Sequence, residues 1–552
     1  MPEPARSCLA ALVAAVAFVA AAVGSIAGLP ALLGTVAVVG LAAFAADAAA
    51  QTSAAEPVFD IRRFDVEGNS VLAPEAIDAA LAPHRGPGRS FADARAAAET
   101  LQRLYVRHGF GAVQVSLPEQ RVADGVVRIA VTEPPLRGVT IEGNSHFDAA
   151  SIRASLPALQ RQTTPNTEAL AAQIRLANEN PARRLSVDLK SDGAGGIDAT
   201  VTVQDEKPWK VGAVLDNTGT ADTGRLRTGV FFQHANVAGT GHVFTGQYIT
   251  STEHPGRVSI AAVNHRVPLP SLGDSLDLFA VYADVDSGVV GELFNVRGRG
   301  KVAGLRYQQN LKPSASLRQR LSYGFEYRAF DNRVGVVGSD PDLLADVTVH
   351  PASLGYAATW TGERQQIDVG GSIVANVPGG AHGRRSDFEA ARSGADSNYS
   401  LLRWSAAYAL ALPAGFQMRL AGDGQYSRDA LVSGEQFGIG GQDSVRGFLE
   451  REISNDRGIR LGAELRSPDF GARLGPGIAA HALLFRDYGH VNRNRALAGE
   501  TASVSIASVG AGLRVAIPPH YQLRLDLAHV TRGFGERRRG DDHVHFSLGI
   551  AY

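Results

Sequence analysis

The chain has a single cysteine in 552 residues, with two methionines and three tryptophans. That cysteine, Cys8, lies in an N-terminal segment that reads as a removable leader, so the rest of the chain has no thiol. Disulfides, cysteine-bound metals and thiol nucleophiles are excluded there, and the avoidance of thiols fits an exported protein in an oxidising compartment. An excess of either charge is missing too: 54 Lys and Arg stand against 55 Asp and Glu. No broad basic face for a nucleic acid is implied. After about residue 50 no apolar run approaches the roughly 18 residues that a membrane-crossing helix needs. With 61 glycines and 45% hydrophobic residues, such a chain is either soluble or crosses a membrane with strands.

From Cys8 to Ala46 there is no charged residue, and Arg6 is the basic residue ahead of that run. The segment ends in small residues, AAFAADAAAQTSA. Residues 1–50 are expected to be a secretory signal cleaved between Ala45 and Ala50. The segment is long for a signal and Gly28-Leu29-Pro30 splits it, so an upstream start or a retained anchor stay as alternatives.

Behind the leader a pattern recurs. FDVEGNSVLAPEAIDAAL begins at Phe64 and VTIEGNSHFDAASIRASL at Val139, repeating the tetrapeptide EGNS at Glu67–Ser70 and Glu142–Ser145. Each copy opens with a short alternating strand, and Gly-Asn then supplies a turn that tolerates positive φ. A helix with apolar residues three and four apart follows, such as Ile77, Ala80 and Leu81. Second helices are expected over 92–108 and 167–178. Closing strand pairs are expected over 112–116 with 126–132 and 185–189 with 197–203. The order β-α-α-β-β thus occurs twice, each time in about 75 residues. These units resemble POTRA domains, and finer marks resemble the POTRA pair of two-partner secretion transporters, the haemolysin secretion/activation family. The marks are Gly109-Phe110, Leu117-Pro118-Glu119-Gln120 and Gly125 in the first unit, and NENP (Asn178 to Pro181) and DATVTVQDEKPW in the second. A unit of this kind has an edge strand that can pair with an extended client; a plain spacer is the other reading.

From Trp209 to Tyr552 the texture changes to period two. Tyr521, Leu523, Leu525 and Leu527 alternate with Gln522, Arg524 and Asp526, and Leu321, Tyr323, Phe325 and Tyr327 with Ser322, Gly324 and Glu326. Charged residues recur on one face and apolar residues on the other, as lipid outside and water inside require. About sixteen such segments are countable, joined alternately by short turns (412–415, 517–520) and long loops (377–398, 428–456). The predicted fold is a transmembrane β-barrel of about 16 antiparallel strands preceded by two α+β units. The domains are expected at 57–134, 135–207 and 209–552. The chain ends HVHFSLGIAY, with Val544, Phe546, Leu548, Ile550 and Tyr552 on one face. The last four resemble the C-terminal signal by which outer-membrane barrels are recognised for insertion. His543 and His545 stand two apart without the acid or cysteine pattern of a metal site, and no metal or cofactor is expected.

GGQDSVRGF, Gly440 to Phe448, falls in the long connection after the eleventh segment. It is no phosphate loop, having no Gly-Lys-Ser/Thr ending and no following helix. Two segments on, in LLFRDYGHV, Phe485, Asp487 and Gly489 share the lumen face. Val445-Arg446-Gly447-Phe448 and Phe485-x-Asp487-x-Gly489 resemble the paired signatures of the secretion family. The resemblance implies that the loop folds back into the barrel, where Arg446 meets Asp487 and Phe448 packs beside the pair. Further resemblances are DNTG at Asp216, TGRLR at Thr223, NVAGTGH at Asn236 and RVPLP at Arg266, with His242 where an acid is expected. The resemblance implies an outer-membrane transporter, with periplasmic POTRA units, that secretes a large partner exoprotein. A barrel-assembly factor of the same superfamily is the alternative, although such factors usually carry three or more POTRA units. Implied partners are the exoprotein, outer-membrane lipids, and the periplasmic chaperones and assembly machinery of its own insertion; a monomer is expected. Scattered histidines, no nucleophile elbow and no paired acids give an enzyme no support. The plug helix common in the family is not evident.

Overall fold

The computed structural model describes residues 58–552 except 291–293, 337–344 and 536. The expected leader and its cleavage region lie outside the described residues.

Two small α+β units come first. One contains β1 (Phe59–Ile61), β2 (Arg63–Glu67), α1 (Pro74–Leu81), β3 (Gly86–Arg89), α2 (Phe91–Arg107), β4 (Gln114–Ser116) and β5 (Val126–Thr132). The other contains β6 (Leu136–Glu142), α3 (Ala149–Ala154), α4 (Thr167–Ala177), β7 (Arg183–Ser191) and β8 (Ile197–Asp205). In the first unit β2 runs parallel to β5, which also pairs antiparallel with β4; in the second β6 runs parallel to β8, which also pairs antiparallel with β7. The first unit adds a β1–β3 ribbon. Its Gly86-Pro87-Gly88 reads as a turn in sequence, because only pairing with β1 makes it extended. Helix α2 starts at a capping box of Ser90 and Asp93 and buries Ala97, Leu101, Leu104 and Tyr105 against the sheet.

The repeated EGNS has the same structural role twice. Gly68 and Gly143 adopt φ +88° and +81°, and a Cβ on either would overlap the carbonyl oxygen of Val131 or Val203. Asn69 and Asn144 donate to Leu72 O and Phe147 O, each at 2.9 Å. The backbone N–H groups of Ser70 and Ser145 donate to Glu133 and Asp205, each at 3.0 Å. Asp205 also accepts from the N–H groups of His146 and Phe147 at 2.9 Å. Burial disfavours its charge, but these three donors outweigh that and hold its carboxyl below the ordinary value of 3.8.

The remaining strands are β9 (Trp209–Asp216), β10 (Arg227–Val237), β11 (His242–Ser251), β12 (Val258–Leu269), β13 (Asp274–Val290), β14 (Phe294–Asn310), β15 (Leu317–Val336), β16 (Val347–Val349), β17 (Pro351–Thr361), β18 (Gln365–Asn376), β19 (Ser400–Ala411), β20 (Gln417–Tyr426), β21 (Phe437–Ile439), β22 (Ile453–Asn455), β23 (Arg457–Arg466), β24 (Ala479–Asn492), β25 (Ser503–Ile517), β26 (Tyr521–Arg532) and β27 (Asp542–Ala551). All but β21 and β22 close into one antiparallel barrel. Among the described residues it has sixteen strands, with β16 and β17 successive parts of one strand that both pair with β15. The two faces divide as the alternation predicts. Tyr323, Phe325 and Tyr327 are exposed on the outer wall and Glu326 is buried inside; Leu523, Leu525 and Leu527 are outside and Asp526 is inside. An apolar exterior on a closed barrel is what lipid demands, since every backbone group is paired within the sheet.

The C-terminal residues Phe546, Leu548, Ile550 and Tyr552 lie at the closing seam. Ser547–Ala551 pair with β9, and Tyr552 exchanges backbone bonds of 2.8 and 2.9 Å with Val211. The side-chain amide of Asn217 adds one more rung, donating to Val544 O at 2.7 Å and accepting from Phe546 N–H at 2.9 Å. Tyr552 stacks on His520, with centroids 4.6 Å apart, and its hydroxyl meets that of Tyr521 at 2.7 Å.

Candidate functional site

The chain between β20 and β23 turns back into the lumen. β21 and β22 pair as a short ribbon that carries the tip, Gly440 to Phe448, down to the inner wall of β24–β27. The structure brings Arg446 and Asp487 together. Nε and Nη2 of Arg446 donate to the two carboxylate oxygens at 2.7 and 2.8 Å, and its backbone N–H donates to Asp487 Oδ2 at 3.1 Å. Nη1 donates to Glu464 at 2.8 Å and lies 3.7 Å from Asp526. The guanidinium covers the Phe485 ring, 3.5 Å from its centroid. Arg446 is 4% exposed and Asp487 1%. A lysine could not fill this fork of three acids.

Gly447 has φ +100°, and its N–H donates to Nε2 of His545 at 2.9 Å. That bond requires the neutral ring with its proton on Nδ1. The packing around Gly447 corrects one expectation. Phe448 does not flank the ion pair; Phe485 does. Phe448 is fully buried with Val445, Ile439, Ile453, Val491, Val504, Ile506 and Val530. Gly489 makes room for this cluster, since a Cβ there would stand 2.9 Å from Val445 Cγ2 and 3.1 Å from Ile439 Cδ1.

Sequence reasoning missed the anchors at the loop's two ends. Glu435, fully buried, pairs with Arg328 at 2.7 Å and Arg403 at 3.5 Å. Asp456, also fully buried, pairs with Arg392 at 2.7 Å and accepts the N–H groups of Leu431 (2.8 Å) and Asn494 (2.6 Å). Arg392 directly follows α5 (Arg385–Ala391), so the 377–398 loop and the 428–456 loop are tied together. No local spacing marks these acids, because their partners are remote in sequence. His545 alternates with the Val544–Tyr552 face named from sequence, but its acceptor role needs the docked loop.

At the other end of the barrel the second α+β unit is clasped to the periplasmic rim. In NENP, Glu179 meets Arg320 of β15 at 2.7 Å and Arg266 of β12 at 3.4 Å. Buried Asn180 donates to Ala235 O at 2.6 Å and Gly241 O at 3.1 Å. NENP, NVAGTGH and RVPLP, distant in sequence, therefore meet in one junction. Among the described residues no group of side chains forms a metal site.

A closed sixteen-strand barrel with an apolar exterior, N-terminal α+β units and an inward-folded loop is the architecture of an outer-membrane transporter with periplasmic modules. The chain belongs to the haemolysin secretion/activation protein family ShlB/FhaC/HecB, whose family model matches residues 195–515; residues 59–134 match the ShlB-type POTRA domain. This is a family of two-partner secretion outer-membrane transporters, not of enzymes. The outer membrane transporter CdiB of Escherichia coli strain 536 is 24% identical over 436 residues, 75% of this chain and 70% of that protein. The transporter of the same name from Dickeya dadantii is 19% identical, over 76% of this chain and 74% of its own. In structure the chain resembles CdiB from Escherichia coli, with TM-score 0.72 and 18% identity over 91% of this chain and 92% of that one. It also resembles CdiB from Acinetobacter baumannii, with TM-score 0.69 and 15% identity over 90% of each.

Proposed function

We propose that the chain exports a large, unfolded partner exoprotein, haemolysin- or adhesin-like, from the periplasm to the cell surface. The periplasmic units capture it and the barrel conducts it. The observation that carries this reading is the docked loop. It docks on the lumen wall through contacts to the wall's side chains, which can be broken and remade without unfolding the wall. Arg446 is the lock, Asp487 its keeper, and Val445, Gly447 and Phe448 seat the tip against Phe485 and Gly489. Capture is assigned to the edge of β7, which among the described residues pairs only with β8. Asn178 occupies that edge at Leu185 by accepting its N–H (2.6 Å) and donating to its carbonyl (3.0 Å). Residues alternate across an antiparallel ladder, so Val187, Leu189 and Ser191 also point to the open edge, where an extended segment can add a strand. Folding outside the cell draws the chain forward, since a folded rung cannot slide back. The test is co-expression with the exoprotein encoded beside the transporter gene. Deleting residues 57–207 should leave the barrel in the membrane and abolish release. Release at the full-length level would refute the capture role.

A further inference from the structure

The outer wall of β24–β26 departs from the apolar rule. Along β24, Phe485, Asp487 and Gly489 are buried in the lumen, while Leu484, Arg486 and Tyr488 face outward. Leu484 is 61% exposed, so this face meets lipid. Arg486 extends from the same face, with Ala463 and Val509 opposite it on the neighbouring strands. A charge on the lipid face is unfavourable unless it reaches an interface and a counter-charge.

Register fixes the leaflet. On β25 the outward residues run Ile517, Val515, Leu513, Ala511 and Val509 from the periplasmic turn upward. Val509 is paired with Arg486. Eight residues of tilted strand climb about 20 Å, well past the middle of a belt about 25 Å tall. Arg486 thus stands in the outer half, with its long side chain able to rise toward the headgroups. Above it, Arg532 of β26 is exposed and opposite Ala507, which also pairs with Tyr488. His529 lies opposite Val509 and holds Asp542 at 2.8 Å. Among the described residues no carboxylate lies within ion-pair distance of Arg486 or Arg532.

We propose that Arg486 and Arg532 bind a phosphate of the outer-leaflet glycolipid, lipid A. The register places the two arginines on either side of β25 at headgroup level, and guanidinium forks are matched to phosphate oxygens. Tyr488 stands between them as a hydroxyl donor, and Val509, Ala511 and Leu484 form the bed for an acyl chain. The site is back to back with the loop's anchorage, since Arg486 and Asp487 are consecutive residues. A bound headgroup would steady the strand that holds the loop.

The test uses the full chain purified in detergent, with lipid A retention read by native mass spectrometry. Arg486→Leu extends the apolar belt and should insert normally; Arg532→Gln is the second variant. Expected are binding of lipid A by the unaltered chain and at least a tenfold loss in either variant. Dephosphorylated lipid A and phosphatidylglycerol should bind the unaltered chain as weakly as lipid A binds the variants. Undiminished lipid A binding by Arg486→Leu would overturn the proposal. So would equal binding of dephosphorylated lipid A, which would indicate acyl contact alone, or of phosphatidylglycerol, which would indicate any anionic headgroup.

Discussion

Replacing Arg446 with alanine tests the loop contact directly. The substitution leaves Asp487 in a buried site without its cation. Breaking a buried pair from one side destabilises by about 3–5 kcal/mol. The lower figure applies, because the backbone N–H of residue 446 still reaches Asp487 and Asp526 keeps Arg514 and Arg524 at 2.8 and 2.9 Å. A loss of about 3 kcal/mol from the docked state raises the undocked-to-docked ratio roughly a hundredfold, at about 1.4 kcal/mol per factor of ten. The loop is not expelled: burial of Phe448 still contributes about 2 kcal/mol, and Glu435 and Asp456 hold both ends. Cysteine labelling reads this population, because Cys8 is the chain's lone thiol and can be replaced by serine. A cysteine at fully buried Val445 reacts with a water-soluble maleimide only when the tip lifts. Adding Arg446→Ala should speed that labelling roughly a hundredfold by the same arithmetic, and Arg446→Lys should give an intermediate rate. A change of under about threefold, less than 1 kcal/mol, would show that the guanidinium does not hold the loop.

Gly489→Val should lift the tip as effectively without altering any charge, since the added methyls collide with Val445 and Ile439; Val445 is then probed by fluorescence of a nearby label, and an unchanged signal counts against close packing. Asp205→Asn should weaken the repeat loop of the second periplasmic unit by about 1–3 kcal/mol, read as faster amide exchange at His146 and Phe147. The folded carboxyl is depressed, so its stabilisation is complete above its ordinary value of 3.8 and is lost as pH falls below it. The unaltered chain should therefore lose protection there in acid, and the asparagine variant should show no such step.

Period-two alternation made the barrel legible, because a wall between lipid and water leaves each strand two chemically distinct faces. Strand β5 has the bounds read from sequence, 126–132, and β8 covers the expected 197–203. EGNS was legible as a turn because its Gly and Asn have local jobs, but Glu133 and Asp205, the acids that clasp it, lie some sixty residues away. The same distance hid Glu435 and Asp456. β3 was hidden for the opposite reason: its glycines argue against a strand and its pairing with β1 makes one. Arg486 sits inside the very motif that marks Asp487, yet its meaning appears only once the face it takes is known.

Withdrawal of the loop would leave an uneven wall. Asp526 retains two arginines, and Glu464 is partly open to water. Asp487 has no second cation within ion-pair distance among the described residues. An empty pore would therefore favour the loop's return, because a carboxylate in a narrow lumen seeks donors. On the proposed reading, an unfolded chain in transit supplies them. Its backbone N–H groups are unpaired until it folds outside, and each in turn can bond to Asp487 as the backbone N–H of Arg446 does at 3.1 Å. The transported chain then competes with the loop for one acceptor. On that reading the pore would reclose when the last unpaired N–H had passed, with no separate signal for the end of transport.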